Sequence, residues 1–80
     1  MTDEEIYAKM TELFHDLFSD DTIVLSPATT AADIDGWDSF NHLSVIVAVE
    51  TQFGIKMTTR EIDNLKNVGD IVAVIQSKSR

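Results

Sequence analysis

The segment Gly36-Trp37-Asp38-Ser39-Phe40 places a hydroxyl nucleophile where an acidic loop turns into an apolar-faced helix. Asp38 is a good N-cap because its carboxylate can accept the free backbone N–H groups of the first turn, which makes Ser39 the first helical residue. A phosphate attached to Ser39 would meet those donors and the positive end of the helix dipole. The segment indicates either a modification site at Ser39 or a simple capping pair.

Composition indicates one small folded domain and limits its chemistry. A chain of 80 residues with 44% hydrophobic residues, one Pro and three Gly folds around a modest core, and we expect no deep catalytic cleft. Without Cys it has no disulfide, thiolate ligand or thiol nucleophile. The longest apolar run, residues 45–49, is too short to span a membrane and no signal peptide is evident, so we expect a cytoplasmic protein.

The charge is strongly acidic and unevenly distributed. The net charge of −8 argues against a nucleic-acid partner, because phosphate binding needs clustered Lys and Arg. Residues 1–38 carry −9 and residues 39–80 carry +1. Partners with basic surfaces would be steered toward the N-terminal half. An acidic face that only maintains solubility accounts for the same distribution.

Apolar periodicity predicts an all-α fold: a four-helix bundle with one short helix and a long first loop, in a single domain over residues 1–80. The predicted helices are approximately 3–18, 39–53, 59–65 and 68–77. Residues 19–38 form the long connection, which we expect to be an ordered loop. Its run Ile23-Val24-Leu25 has no second strand to pair with.

Capping residues mark most of the helix ends. Thr2 with Glu5, and Thr58 with Glu61, have capping-box spacing. Gly54 is placed to end the second helix. Asn67 can cap the fourth, whose apolar stripe is Val68, Ile71, Val72 and Ile75.

The same spacing predicts which faces are buried. On the first helix the predicted face consists of Ile6, Tyr7, Met10, Leu13, Phe14, Leu17 and Phe18. On the second it consists of Phe40, Leu43, Ile46, Val47 and Phe53, widened by Val45 and Val49. The β-branched residues of this helix are compatible with a tightly packed core or with an open channel between helices.

With these features the chain resembles the acyl carrier protein family, which includes carrier domains of polyketide synthases and peptidyl carrier domains. The similarity covers nearly all 80 residues. It rests on Asp38-Ser39 followed by a large apolar residue, on the sequence AVETQFGI at 48–55, and on a short third helix before VGDI at 68–71.

The resemblance implies that Ser39 carries a 4′-phosphopantetheine arm, transferred from coenzyme A by a separate magnesium-dependent phosphopantetheinyl transferase. Acyl groups would ride as thioesters on the terminal thiol of the arm, so the protein would be a monomeric carrier and not an enzyme. Asp38 would act as the N-cap and in transferase recognition. The other implied partners are acyl-loading and acyl-processing enzymes, and the docking candidates are Leu43, Glu50, Arg60, Glu61 and Asp63.

Three positions depart from the family pattern. Phe40 stands where the family usually has Leu, and we predict that it packs in the core, with contact to a partner as the alternative. The only acid of helix two is Glu50, so docking to a strongly basic patch on a general fatty-acid synthase enzyme is not expected. We predict dedicated partners in a specialised fatty-acid, lipid or polyketide-type pathway. His42, one turn after Ser39, is a possible contact for the phosphate.

Other readings remain open within the carrier class and outside it. The chain could be a peptidyl carrier of a nonribosomal pathway, or an unmodified helical interaction module that keeps the fold without the arm. Its start at Met1 and its charged tail favour a discrete protein over an excised domain.

Two further patterns suggest chemistry but fit it poorly. The acidic loop around Gly36 could imitate a calcium loop, although the first and last ligands would then be Ala31 and His42. Ser39, His42 and Asp38 could suggest a hydrolase, but neighbours on one turn do not line up as nucleophile, base and orienting acid. We therefore predict no metal site and no catalytic residue.

Overall fold

The computed structural model describes residues 2–38 and 40–78, which form four α-helices and no β-strand. The helices are α1 (Asp3–Phe18), α2 (His42–Phe53), α3 (Thr59–Asp63) and α4 (Val68–Lys78). A 3-10 turn, Ala31–Asp33, interrupts the long connection between α1 and α2 and was not predicted. The all-α four-helix architecture with a short third helix is confirmed, and no described helix has the length and apolarity needed to cross a membrane.

The helix ends follow the local capping chemistry of the sequence. Both predicted capping boxes are present, with the Glu5 and Glu61 N–H groups donating to the hydroxyls of Thr2 and Thr58 at 3.2 Å. Gly54 ends α2 in the left-handed conformation at φ 65°. The third helix is two residues shorter than predicted because the chain turns at Asn64, whose N–H donates to carbonyls within α3.

The core side of α1 is formed by Ile6, Met10 and Phe14, each of which is fully buried. This helix packs against α2 and α4. Leu17 was predicted on the same face but is largely exposed. The four-residue spacing of the buried side chains continues to Phe18, whose ring packs edge-on against Phe14. Leu17 stands one residue before Phe18 and so lies off this line of buried side chains.

The buried face of α2 is the one formed by Val45, Ile46 and Val49. The predicted placement of Phe40, Leu43 and Val47 in the core is therefore wrong, and all three are exposed. The physical reason is that α2 is apolar on nearly every side. Periodicity identifies a core face only where polar residues mark the opposite one.

The long connection is tied to the start of α4 by backbone hydrogen bonds. The N–H groups of Val68 and Gly69 donate to the carbonyls of Thr29 and Pro27 at 2.8 and 3.0 Å. A Cβ on Gly69 would lie 2.8 Å from the Pro27 carbonyl oxygen, so this close approach requires glycine. Asn67 caps α4 as predicted, its side-chain oxygen accepting from the N–H of Asp70 at 2.8 Å.

The connection is also fixed at its other end and within itself. The His15 Nε2–H donates to the Ile23 carbonyl at 2.9 Å, because a carbonyl can only accept. Thr30 and Asp33 form a further capping box around the 3-10 turn. The predicted ordered loop is confirmed, and its hydrogen bonds fix the position of the chain where it enters the turn at residue 36.

Candidate functional site

The turn at residues 36–41 is held by reciprocal hydrogen bonds between Asp38 and Asn41. Oδ1 of Asp38 accepts from the N–H groups of Phe40 and Asn41 at 2.9 and 3.1 Å. In return, Oδ1 of Asn41 accepts from the Asp38 N–H at 2.8 Å, while its amide group donates to the Gly36 carbonyl. Gly36 adopts φ 92°, a conformation that favours glycine.

This turn corrects the predicted start of the second helix. The N–H groups that Asp38 accepts lie two and three residues after it, which is the hydrogen-bonding pattern of an N-cap. The regular helix nevertheless begins at His42, with Asn41 as the N-cap and the Val45 N–H donating to the Asn41 carbonyl at 3.0 Å. The start is delayed because the Asn41 side chain is engaged in the turn. Ser39 lies outside the described residues.

Trp37 and His42 connect the turn to the core. The Trp37 indole N–H donates to Nδ1 of His42 at 3.2 Å, and the two rings lie side by side with centroids 5.9 Å apart. The other side of the indole meets Phe14 edge-on at 5.2 Å. Trp37 is only 6% exposed, so His42 is attached to a fixed part of the core.

An open cleft of about 310 Å³ adjoins the turn. It is lined by Ala31, Asp38, His42 and Leu43. One of its lining residues, Asp38, directly precedes Ser39 in the sequence. The apolar lining of the cleft is suited to a flexible chain with few charges.

The exposed side of α2 and of the turn before it carries an apolar stripe formed by Phe40, Leu43 and Val47. Their exposed fractions are 94%, 63% and 57%. The prediction that Phe40 packs in the core is wrong, because this residue belongs to the 36–41 turn and precedes the helix. Its alternative role, contact with a partner, remains compatible with the structure.

The predicted docking residues fall into two groups. Leu43, Arg60 and Asp63 are exposed. Glu50 and Glu61 instead have partners within the chain. Oε2 of Glu50 accepts from the Met57 N–H at 2.8 Å, and Oε1 of Glu61 accepts from the Thr58 N–H at 2.8 Å.

The carboxylate of Glu61 is further held by the C-terminal helix. Its Oε1 lies 3.0 Å from Nζ of Lys78. The hydrogen bond from the Thr58 backbone, and then the bond from Lys78, hold the pKa of Glu61 below its usual value. This acid therefore stabilises the α3 and α4 arrangement in addition to any contact with partners.

The acidic loop does not gather its carboxylates around a common point. Oδ2 of Asp33 accepts from the Thr30 N–H at 2.9 Å, and Asp38 accepts from its own turn. Within residues 2–38 and 40–78, no three His, Asp or Glu side chains are grouped as metal ligands. The hydrolase arrangement is not formed by the described side chains, because Nδ1 of His42 faces the Trp37 indole and not a carboxylate.

Two contributors to this site were missed by sequence reasoning. Trp37 was given no role from the sequence, and no spacing rule predicts its hydrogen bond to His42. Asn41 had a readable signal, because it stands three residues after Asp38, which is the spacing of a reciprocal cap.

Comparison with known proteins gives a consistent result. No protein-family model matches the chain. It is 32% identical to the acyl carrier protein of Acidothermus cellulolyticus, over 94% of this chain and 89% of that protein. It is 29% identical to the meromycolate extension acyl carrier protein of Mycobacterium tuberculosis H37Rv, over 95% of this chain and 66% of that protein.

A solved structure has the same fold. The solution structure of holo acyl carrier protein from Geobacter metallireducens matches with a TM-score of 0.83 and 42% sequence identity, over 90% of this chain and 83% of that one. The fold and the 36–41 turn define a small helical bundle of the carrier-protein class. With the identity and coverage above, the chain belongs to the acyl carrier protein family.

Proposed function

We propose that this protein carries acyl intermediates as thioesters on a 4′-phosphopantetheine arm attached to Ser39. The observation that carries the proposal is the hydrogen-bonded turn in which both chain neighbours of Ser39, Asp38 and Phe40, are exposed. A prosthetic group on the residue between them can extend toward solvent and toward partner enzymes. Membership of the acyl carrier protein family supports the same assignment.

The residues around the turn fit such a group. When bound, phosphopantetheine supplies a terminal thiol for thioester formation, which the cysteine-free chain lacks. The Asp38 and Asn41 side chains make reciprocal hydrogen bonds across the residues on either side of Ser39. Ala31 and Leu43 provide apolar walls beside it, against which the uncharged part of an extended arm can lie.

The division of labour follows from this arrangement. The chain orients the attachment point and presents a surface, while a phosphopantetheinyl transferase and the acyl-loading and acyl-processing enzymes perform the chemistry. The protein is therefore a substrate of these enzymes and not itself an enzyme. We assign it to the cytoplasm, where coenzyme A would be available, and expect it to act as a monomer.

We assign partner docking to the apolar stripe of Phe40, Leu43 and Val47, with Arg60 and Asp63 as exposed charges on α3. The only acid within α2, Glu50, already accepts an internal hydrogen bond. A partner whose basic groove binds a row of acids on the second helix would make few ion pairs with this protein. This supports dedicated partners in a specialised lipid or polyketide-type pathway.

The decisive experiment is intact-mass measurement after incubation with coenzyme A, Mg²⁺ and a broad-specificity phosphopantetheinyl transferase. We expect a mass gain of one phosphopantetheine group in the native sequence and none in Ser39→Ala. Circular dichroism of both proteins verifies that the control is folded. No gain in the folded native protein, also with transferases from other pathways, would favour an unmodified interaction module.

A further inference from the structure

We propose that Trp37 is a positioning residue that holds His42 with its proton on Nε2, and that this Nε2–H donates to the phosphodiester on Ser39. The inference rests on the proposed modification of Ser39 and adds a residue-level role to it. It starts from the 3.2 Å hydrogen bond between the indole N–H and Nδ1 of His42.

The chemistry of the two rings determines the tautomer. An indole N–H can donate but cannot accept, so the nitrogen facing it must present a lone pair. Nδ1 of His42 is that nitrogen, and the neutral imidazole then carries its proton on Nε2. The two rings lie side by side, with 18° between their planes, so Nε2 lies on the side of the imidazole that faces away from the indole.

Several donors of residues 36–38, 40 and 41 are engaged already. The N–H groups of Phe40 and Asn41 donate to Asp38, and the Asn41 amide donates to Gly36. A phosphodiester on Ser39 would therefore compete with the Asp38 carboxylate for the backbone donors. It needs a donor from another direction.

His42 is the residue placed to supply it. Of the four residues that line the adjoining cleft, His42 alone has a side-chain hydrogen-bond donor at neutral pH. The chain has no Lys or Arg from residue 10 to residue 55. The half-buried imidazole, three residues after Ser39, therefore takes the place that a cationic side chain could hold in another sequence.

The arrangement also connects the attachment site to the core. Trp37 packs edge-on against Phe14, a fully buried residue of α1. The orientation of His42 thus depends on a buried aromatic pair rather than on a solvated side chain. We expect the phosphate contact to be defined in direction, so that the arm leaves the protein along a preferred path.

The test compares the apo and holo proteins by NMR, with the mass of each sample verified. Long-range ¹H–¹⁵N spectra identify the protonated nitrogen of each imidazole, and the ³¹P spectrum reports the phosphodiester. We expect the Nε2–H tautomer of His42 in both forms, and a shift of its Nε2 resonance on modification. The ring of His15, which donates to Ile23, is the internal control and should not move.

Two variants separate positioning from packing. Trp37→Phe keeps an aromatic ring against Phe14 but removes the indole N–H, so the Nδ1–H tautomer of His42 should appear and the ³¹P resonance should shift. His42→Phe keeps a ring beside Trp37 but removes the donor, and should shift the ³¹P resonance similarly. His15→Gln is the matched control and should leave that resonance unchanged.

The outcomes distinguish this inference from the proposed function. A mass gain at Ser39 combined with an unmoved Nε2 resonance, or with a dominant Nδ1–H tautomer, overturns the inference and leaves the carrier function standing. Absence of any mass gain overturns both. If either variant unfolds, the apo and holo comparison of the native sequence decides the result alone.

Discussion

The carboxylate of Glu50 accepts a hydrogen bond from the backbone N–H of Met57 at 2.8 Å. It thereby joins the last turn of α2 to the segment that leads into α3. Met57 is a buried residue, so its N–H is poorly placed to find water instead. The one acid within α2 is thus a structural group of the α2–α3 connection.

Removing this acceptor should destabilise the protein. We expect Glu50→Ala to lower the free energy of unfolding by about 1 kcal/mol, the usual contribution of a hydrogen bond that is partly buried. Glu50→Gln keeps an acceptor oxygen and should lose much less. Urea unfolding followed by circular dichroism measures both, and equal stability of the alanine variant and the native protein would contradict the structural role.

Gly69→Ala should also be destabilising, although alanine is the better helix former. The intrinsic preference for alanine is worth about 1 kcal/mol inside a helix. The added Cβ would meet the Pro27 carbonyl oxygen at 2.8 Å, and this atom belongs to the backbone and cannot rotate away. We expect a net loss of about 1–3 kcal/mol in unfolding free energy.

The matched control for this substitution is Ser77→Ala, an exposed position on the same helix. It introduces alanine without the close approach to the connection and should be neutral or slightly stabilising in thermal unfolding. If Gly69→Ala were as stable as this control, the prediction would be wrong. The connection could then move away from α4 with little loss of unfolding free energy.

Ionisation of Glu61 should make the free energy of unfolding decrease as the pH becomes acidic. Its pKa in the folded protein is held below the ordinary value of 4.5, first by the Thr58 backbone N–H and then by Lys78. The unfolded chain therefore takes up this proton at a higher pH than the folded one. The stabilisation is complete above the ordinary value and is lost as the pH falls through the lowered folded pKa.

The variant Glu61→Gln isolates this contribution. Glutamine retains an acceptor for the capping box but has no charge to titrate. We expect the native protein to be the more stable of the two at neutral pH, and the difference in unfolding free energy to shrink as the pH falls below 4.5. A difference that stays constant over this range would show that Glu61 does not contribute through its ionisation.

Phe40→Ala should separate partner binding from folding. Because the side chain is 94% exposed, its removal should change the unfolding free energy by no more than about 0.5 kcal/mol. Loss of an aromatic anchor from a docking surface should weaken the interaction by at least about 1 kcal/mol, roughly fivefold in affinity or kcat/KM. Transfer kinetics with the phosphopantetheinyl transferase and with an acyl-processing partner measure the effect.

Val24→Ala is the control for Phe40, since Val24 is an apolar side chain that is 84% exposed in the long connection. It should leave both stability and transfer kinetics unchanged. The effect of Phe40→Ala should also persist at high salt, because apolar contact is not screened by ions. A strong salt dependence would instead favour charged docking through Arg60 or Asp63.

The parts of the fold that depend on neighbouring residues were predictable from the sequence. The capping boxes at Thr2 and Thr58 and the terminating Gly54 use donors and acceptors a few residues apart, and all three are present. The burial of α1 also followed its spacing, apart from Leu17. Charged residues on the opposite side of that helix made the pattern unambiguous.

The errors occurred where the sequence is uniformly apolar or where residues pair over an irregular turn. In α2, Val47 and Val49 are chemically alike, yet the first is exposed and the second buried, according to which side meets α1. The helix start was shifted by the pairing of Asp38 with Asn41, whose three-residue spacing is visible in the sequence but whose effect on the helix start is not. Trp37 reaches His42 through the same turn.

The carbonyl groups of Pro27 and Thr29 bind N–H groups about forty residues later in the chain, at the beginning of α4. Contacts of such large sequence separation form late, because the entropy of closing a long loop must be overcome first. During synthesis, a nascent chain ending before Val68 would lack both donors. The connection that leads to the 36–41 turn can therefore complete its hydrogen bonds only after the first residues of α4 have left the ribosome.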